Sequence, residues 1–254
     1  MLERKFNIIV LSLGLVFLYV HQGISADPFT LKTTPEHLEI GAFFAGKAVT
    51  LSGSIPSKQN LIVEIIGPKR NAKFNLKGRV GPFWMNLKKV ELEQVPFLYK
   101  LLLPGQQIGE KLLDALNVGV KKLSQRITVR PAGLNGDMIF NQLTKLKRSQ
   151  HLYGEQNSAI HYSPLRQDQK TFKSTLYFPS STVPGDYQII ASRLQGRVII
   201  KRSVYNYEVK EVGIIQKIGE LAYHKELIYG IFCVIIALFV GTAIGLFFKH
   251  TEAH

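Results

Sequence analysis

At 254 residues the chain can form one sizeable domain or two small ones, and it carries 32 lysines and arginines against 18 acidic residues, a formal net charge of +14. All but three of these basic residues (Arg4, Lys5 and Lys249) lie between Asp27 and Lys225, so the charge belongs to the central part of the chain. The only cysteine is Cys233, which excludes an internal disulfide and requires the fold to rest on packing alone.

The amino terminus has the pattern of a secretory signal. A short basic segment precedes an apolar run over 8–20, and Ala26 suits the position before a cleavage site. We therefore predict a signal peptide at 1–26. An uncleaved membrane anchor is the alternative, because Ile24 is bulky for the third position before the cleavage site. In either case the chain from Asp27 to the second apolar segment would be exported from the cytoplasm.

Short alternating or β-branched runs, separated by glycine and proline, predict strands from Leu31 onward. The early strands fall within 37–104, and the β-branched run at 61–66 is the clearest of them. The strand pattern returns over 171–209, where Gln195-Gly196 predicts a hairpin turn.

Two helices are predicted between these strand regions. The first has an apolar residue at every fourth position: Ile108, Leu112, Leu116 and Val120. Gly119 is expected to end or bend it. The second has an apolar stripe of Ile139, Leu143 and Leu146. Asn135 is its predicted N-cap and Asp137 its first-turn acid, both of which favour a helix start.

These patterns predict a mainly β fold with a helical insertion at about 105–155, in which an immunoglobulin-like β-sandwich occupies 27–212. Two tandem small domains are the alternative, although three strands at 171–209 are too few to bury a core alone. The Pro-Gly-Asp-Tyr sequence ending at Tyr187 predicts a tyrosine corner, in which the tyrosine hydroxyl bonds back to the preceding backbone. Simple core packing of Tyr187 is the other interpretation.

The stretch 228–248 is apolar and uncharged, and a helix of that length spans roughly 30 Å, the thickness of a bilayer's hydrocarbon core. We predict a juxtamembrane helix at 213–227 that continues into a single transmembrane helix at 228–248, followed by a cytoplasmic tail at 249–254. Four small residues share roughly one face of the transmembrane helix: Gly230, Ala237, Gly241 and Gly245. Such a face lets another helix approach closely, so we expect a membrane-protein partner or a second copy there.

The sequence contains no HExxH, CxxC, GxSxG, Walker or GxGxxG motif, and we expect no catalytic residue, no cofactor and no nucleic-acid partner. The richest polar cluster contains His151, Glu155 and His161. His151 and Glu155 could share a helix face and His161 could complete a metal site. Because no fourth ligand is evident, hydrogen-bonded surface residues are the favoured interpretation.

Two aromatic residues are further candidates. Trp84 is the only tryptophan, and we expect it to be buried as an anchor of the sandwich, because large aromatic side chains usually serve as core. An aromatic platform for a ligand is the alternative. Tyr99, in an apolar edge segment, is a possible contact with a partner.

Five strings resemble a known family: GPFWMN, VPFLY, HLYGE, FKSTLYFPSSTVPGDY and ELAYHKELIYGIFCVIIALFVG. Over 30–248 they are similar, in the same order, to the Alph_Pro_TM family of transmembrane proteins, described mainly from Alphaproteobacteria. The resemblance implies a bacterial inner-membrane protein with a signal, a periplasmic domain and one carboxyl-terminal span. The family has no assigned activity, so no catalytic residue is carried over. Its motif residues look like turn and core positions: Trp84, Asn86, Pro96, Tyr99, Leu152, Tyr153, Pro184, Gly185 and Tyr187.

Three functional hypotheses follow. The favoured one is a non-catalytic accessory or interaction module in the membrane. Its partner would be a TauE/SafE-like anion exporter, because members of the family are often encoded beside such exporters. The second is an exported metal-binding protein or enzyme that uses the His151, Glu155 and His161 region. The third is a basic surface that binds anionic lipid or a polyanion. Its basic candidates are Lys145, Lys147 and Arg148.

Overall fold

The computed structural model describes residues 29–105, 108–164 and 168–251. The predicted signal peptide at 1–26 lies outside the described residues, as does the end of the predicted cytoplasmic tail. The strands are β1 Thr30–Thr34, β2 Leu38–Ile40, β3 Gly46–Pro56, β4 Asn60–Ile66, β5 Lys69–Val80, β6 Phe83–Pro96, β7 Tyr99–Pro104, β8 Thr128–Arg130, β9 Tyr153–Pro164, β10 Gln169–Pro179, β11 Gly185–Gln195 and β12 Val198–Glu211. The helices are α1 Glu110–Leu116, α2 Val120–Leu123, α3 Gly136–Ser149, α4 Ile214–His224 and α5 Glu226–Thr251, with a 3₁₀ turn at Ser124–Arg126.

Nine strands form one sheet in the order β1-β3-β10-β9-β7-β4-β11-β12-β2. Strands from both sides of the helical region therefore belong to the same sheet. Neighbouring strands are antiparallel except for β7 with β9 and β12 with β2, which are parallel. The remaining strands form a second sheet in the order β5-β6-β8.

Strand β9 belongs to two parts of the large sheet and connects them. Its first residues pair with β7, and its residues from Ile160 onward pair with β10. Ser158, between the two, has a φ of 56°, a left-handed conformation that bends the strand. The bend lets β10 fold over strands that are not its neighbours in the sheet. The ring of Phe178 on β10 lies 5.4 Å from that of Tyr187 on β11 and 5.8 Å from that of Tyr207 on β12.

These three aromatic side chains are fully buried between the two layers of the sheet, and they join a core of aliphatic residues from both layers. The alternation of buried and exposed residues along β10 places Phe172, Leu176 and Phe178 on the inner face, as expected for a strand with one face on a core. The prediction of a mainly β, sandwich-like fold is confirmed.

The turn into β11 has the geometry that the Pro-Gly-Asp-Tyr pattern predicts. The hydroxyl of Tyr187 donates a 2.9 Å hydrogen bond to the carbonyl of Val183, four residues earlier. This is the bond of a tyrosine corner, in which the hydroxyl fixes the chain as it enters a core strand. Gly185 has a φ of 137°, in the region that favours glycine. Burial raises the pKa of Tyr187 to about 12, so the hydroxyl stays protonated and remains a donor.

The first predicted helix is interrupted. Helix α1 ends at Leu116, Asn117 has a left-handed φ of 57°, and Gly119 has a φ of 107° before α2 begins. The predicted helix is therefore broken, but Asn117 ends it, and Gly119 precedes the start of α2. In the second predicted helix, α3, the side chain of Asn135 accepts a 3.0 Å hydrogen bond from the backbone N–H of Met138. This is the N-cap that the sequence predicts.

The carboxyl-terminal region differs from the prediction of a continuous helix. Helix α4 ends at His224, and Lys225 departs from helical geometry with φ −139° and ψ 54°. The carbonyl of Lys225 then accepts a hydrogen bond from the backbone N–H of Tyr229, which is the first helical bond of α5. Lys225 thus separates an amphipathic helix from an apolar one. The predicted continuation from 213–227 into 228–248 is wrong, because the chain turns at this residue.

Candidate functional site

Helix α5 has the length and composition of a membrane span. The segment Glu226–Gly245 is apolar on all sides after Glu226, and none of it is buried against the rest of the described structure. A core helix of a water-soluble protein would be mostly covered. The 26 residues of α5 reach about 39 Å, enough to cross roughly 30 Å of hydrocarbon. Without lipid, exposing so many large apolar side chains would be unfavourable.

The small-residue face of α5 consists of Gly230, Ala237, Gly241 and Gly245. A Cβ atom added to any of the three glycines would meet no atom within 4 Å in the described structure. Successive helical residues are about 100° apart, so positions at spacings of four and seven share a face. This face is therefore open, and it has the shape that permits close approach of a second helix.

The weak metal candidates are not brought together. Helix α3 ends before His151, whose φ of 57° turns the chain into β9, so Glu155 lies on a strand and not on the helix. The predicted shared helix face of His151 and Glu155 is therefore wrong. His161 is exposed farther along the same strand. Within the described residues, no group of three or more histidine, cysteine, aspartate or glutamate side chains is arranged to hold a metal ion.

Glu155 instead joins the helical insertion to the sheet. Its carboxylate accepts a 2.9 Å hydrogen bond from the backbone N–H of Val120. The preceding N–H, that of Gly119, donates at 2.9 Å to the hydroxyl of Tyr99. That hydroxyl donates in turn at 2.8 Å to the carboxylate of Glu64. Two side chains of the sheet therefore bind consecutive amides at the start of α2.

Glu64 and Tyr99, at the centre of this polar cluster, are buried, whereas Glu155 and Arg202 are exposed at its edge. Burial raises the pKa of Glu64, although the Tyr99 hydrogen bond and the charges of Arg202 and Arg126 oppose the shift. Burial also raises the pKa of Tyr99, which keeps its hydroxyl protonated. Arg202 adds a further link by donating at 2.8 Å to the carbonyl of Leu116 at the end of α1. The cluster thus binds backbone groups of the protein itself, and it anchors the insertion.

Tyr99 and Tyr153 are core residues. Tyr99 is only 1% exposed, so the expectation of a partner contact at this side chain is wrong. Its ring packs edge-on against that of Tyr153 at 6.2 Å, and the Tyr153 hydroxyl donates at 2.8 Å to the carbonyl of Pro96. Both tyrosines face the interior because the parallel pairing of β7 with β9 places them side by side.

Trp84 lies on the surface of the protein. It is 74% exposed, so the prediction of a buried tryptophan that anchors the sandwich is wrong. Strands β5 and β6 form a long hairpin, which we call the arm, and its two-residue turn is Gly81-Pro82 with a φ of 60° at Gly81. Trp84 and Asn86 follow this turn. They are exposed because the hairpin extends beyond the core that covers its base.

The base of the arm and helix α3 enclose an apolar groove of about 510 Å³. Phe74, Leu76 and Val90 line it from the arm, and Ile139 and Leu143 line it from the helix. Lys77 is the one ionisable side chain in the described lining. The groove is therefore suited to apolar contact.

The basic candidates on α3 do not form one patch. Lys147 donates at 3.3 Å to the carbonyl of Phe97, and its ammonium lies 4.5 Å from the centre of the Phe97 ring. Burial, with a contribution from the charge of Arg70, lowers the pKa of Lys147. Lys145 and Arg148 are exposed. Lys147 is thus engaged within the fold, and a more continuous basic surface lies on the arm.

The described structure defines a membrane protein in which a β-rich domain precedes one helix of membrane-spanning length and composition. Residues 28–250 match the family described as "Putative transmembrane protein (Alph_Pro_TM)". The chain belongs to this family, which confirms the resemblance of its five sequence strings. A comparison with curated proteins gave no match.

Proposed function

We propose that the protein is a single-pass inner-membrane protein whose β-rich domain lies in the periplasm and acts as a non-catalytic interaction module. The open small-residue face of α5 carries this proposal. Three glycines on one face leave the backbone bare, and a partner helix there would gain close dispersion contact that lipid chains supply less well. A TauE/SafE-like anion exporter is the candidate partner, and a second copy of the chain is the other occupant of this face.

Two further features support an interaction role for the domain. The candidate polar residues Tyr99 and Glu155 are engaged with backbone amides of the insertion, and so they stabilise the fold. The join between β12 and α5 consists almost entirely of the 11-residue helix α4. Such a helix is about 16 Å long, so the domain would stay close to the bilayer and to any protein beside α5.

Replacing Gly241 and Gly245 together by isoleucine is expected to reduce partner recovery by about tenfold, which corresponds to about 1.4 kcal/mol of binding free energy. The branched side chains would hold a second helix away from the glycine face. The measurement is crosslinking of the tagged full chain in its native membrane, followed by purification in mild detergent and mass spectrometry of what is held. A dimer mass identifies a second copy, and other peptides identify a different partner.

A matched control places two isoleucines on the opposite side of the same helix. Phe239 and Ala243 each lie two residues before one of the glycines, roughly 200° around the axis. The Phe239→Ile, Ala243→Ile variant should recover the partner as well as the wild type does. Equal recovery by the glycine variant would contradict the proposed role of this face.

A further inference from the structure

The far end of the arm is an exposed apolar surface. Every residue from 79 to 89 is exposed, on both strands and in the turn. The arm tip, residues 80–87, carries five large apolar side chains with at least half of their surface accessible: Val80, Phe83, Trp84, Met85 and Leu87. Single exposed apolar residues are common on proteins, but five at the end of one hairpin indicate a surface that lipid or another molecule covers.

The charge of the arm has one sign from its first residue, Lys69, to Val90 on the returning strand. From 69 to 90 the sequence contains no aspartate or glutamate. The same stretch contains seven basic residues: Lys69, Arg70, Lys73, Lys77, Arg79, Lys88 and Lys89. Arg79, Lys88 and Lys89 are exposed on the strands directly beside the apolar tip. An apolar tip with a basic collar is complementary to a bilayer surface that has anionic headgroups above an apolar interior.

The chain also brings such a surface within reach. Helix α5 holds the domain to one bilayer through the short helix α4, so that bilayer is present at a high effective concentration. Strand β5 has 12 residues, which gives the arm a length of about 40 Å. Trp84 is an aromatic residue of the type enriched at membrane interfaces, where its ring is buried and its N–H stays hydrated.

We infer that the tip of the arm inserts into the anionic surface of the bilayer that holds α5. Val80, Phe83, Trp84 and Met85 enter the interfacial region, and the basic residues beside them bind lipid phosphates. The domain would then have two attachments to the membrane, one through α5 and one through the arm. This second attachment would restrict the orientation of the β-rich domain, and it is independent of any protein partner at the glycine face.

The test uses Trp84 itself, because it is the only tryptophan in the chain. The full chain is reconstituted into nanodiscs of phosphatidylcholine with or without phosphatidylglycerol, in each case with and without brominated acyl chains. With phosphatidylglycerol we expect Trp84 emission to be blue-shifted and quenched by the bromines. Raising the salt concentration should reduce both effects, because salt screens the attraction between lysines and phosphates. Unshifted emission without bromine quenching would overturn the inference.

Two variants retain Trp84 as the probe and distinguish the contribution of apolar contact from that of charge. Phe83→Ser with Met85→Ser removes apolar contact, and glutamine at Lys77, Arg79, Lys88 and Lys89 removes charge. Each variant should lose most of the bromine quenching. Glutamine at four exposed lysines outside the arm is the matched control and should retain the quenching. These control positions are Lys47, Lys58, Lys111 and Lys173.

The remaining outcomes identify other occupants of the tip. A blue shift that bromines do not quench would show that protein covers the tip, and its dependence on protein concentration would identify a second copy. Quenching only by brominated lipid in separate vesicles would place the tip against another membrane. Equal quenching in neutral and anionic nanodiscs would remove the role assigned to the basic residues. Each of these results would overturn the inference as stated.

Discussion

Replacing Phe178 by alanine is expected to destabilise the β-rich domain by about 3–5 kcal/mol, the usual cost of removing a buried phenylalanine. Phe178 is fully buried and contacts the rings of Tyr187 and Tyr207 across the two layers of the folded sheet. Its loss would leave a cavity where the layers meet. The measurement is chemical denaturation of the full chain in mild detergent, followed by far-ultraviolet circular dichroism in the strand region.

The matched control is Phe43→Ala, the same change at a side chain that is 98% exposed. This control should alter the unfolding free energy by no more than about 0.5 kcal/mol. Equal effects of the two substitutions would contradict the packing of β10 against β11 and β12. Circular dichroism is preferable to tryptophan fluorescence here, because Trp84 lies on the exposed arm.

Replacing Tyr99 by phenylalanine is expected to cost about 2–4 kcal/mol, because one hydroxyl serves two buried partners. Its loss would remove the donor to Glu64 and the acceptor for the Gly119 N–H. Each buried group left without a partner costs about 1–3 kcal/mol. Amide hydrogen exchange should also become faster at Gly119 and Val120, since the insertion would be less firmly held.

Tyr207→Phe is the control for this prediction. Tyr207 is as buried as Tyr99, each being 1% exposed, but its hydroxyl has no hydrogen-bond partner among the described residues. Removing that hydroxyl should be nearly neutral or slightly stabilising, because no bond is lost and a polar group leaves the core. If Tyr99→Phe proved as harmless as Tyr207→Phe, the cluster would not be the anchor of the insertion.

The features that the sequence predicted correctly are determined by neighbouring residues. The Asn135 cap joins atoms three residues apart, and the Tyr187 corner joins atoms four residues apart. The hairpin turn predicted at Gln195-Gly196 lies one residue later, at Gly196-Arg197, and it likewise depends on its own glycine, whose φ is 61°. Hydrophobic alternation also gave the mainly β class, because period two is a property of each strand by itself.

The features that were missed depend on distant parts of the chain. Tyr99 and Glu155 bind amides that lie 20 and 35 residues away, and no local pattern identifies those partners. The exposure of Trp84 is set by where the core ends along the arm, which is a property of the packed molecule. One signal was present in the sequence: the stretch 69–90 contains seven basic residues and no acidic residue.

The predicted helix face shared by His151 and Glu155 is wrong for a related reason. The spacing of His151 and Glu155 is compatible with one helix face only if the helix continues to residue 155. Helix α3 ends at Ser149, and the parallel pairing of β9 with β7 extends the chain from Tyr153. Pairing with a strand distant in sequence therefore overrides the local helical pattern. The same pairing places Glu155 beside the amides of the insertion.

The most direct test of the proposed function is to determine on which side of the membrane the β-rich domain lies. Because Cys233 is the only cysteine, Cys233→Ser gives a cysteine-free chain into which Ser180→Cys can be introduced, at an exposed position between β10 and β11. In intact spheroplasts of a bacterial host, a membrane-impermeant maleimide should label this cysteine. A cysteine placed at Ala253 should react only after lysis. If the cysteine of the Ser180→Cys chain reacted with the maleimide only after lysis, the proposed periplasmic location of the β-rich domain would be contradicted.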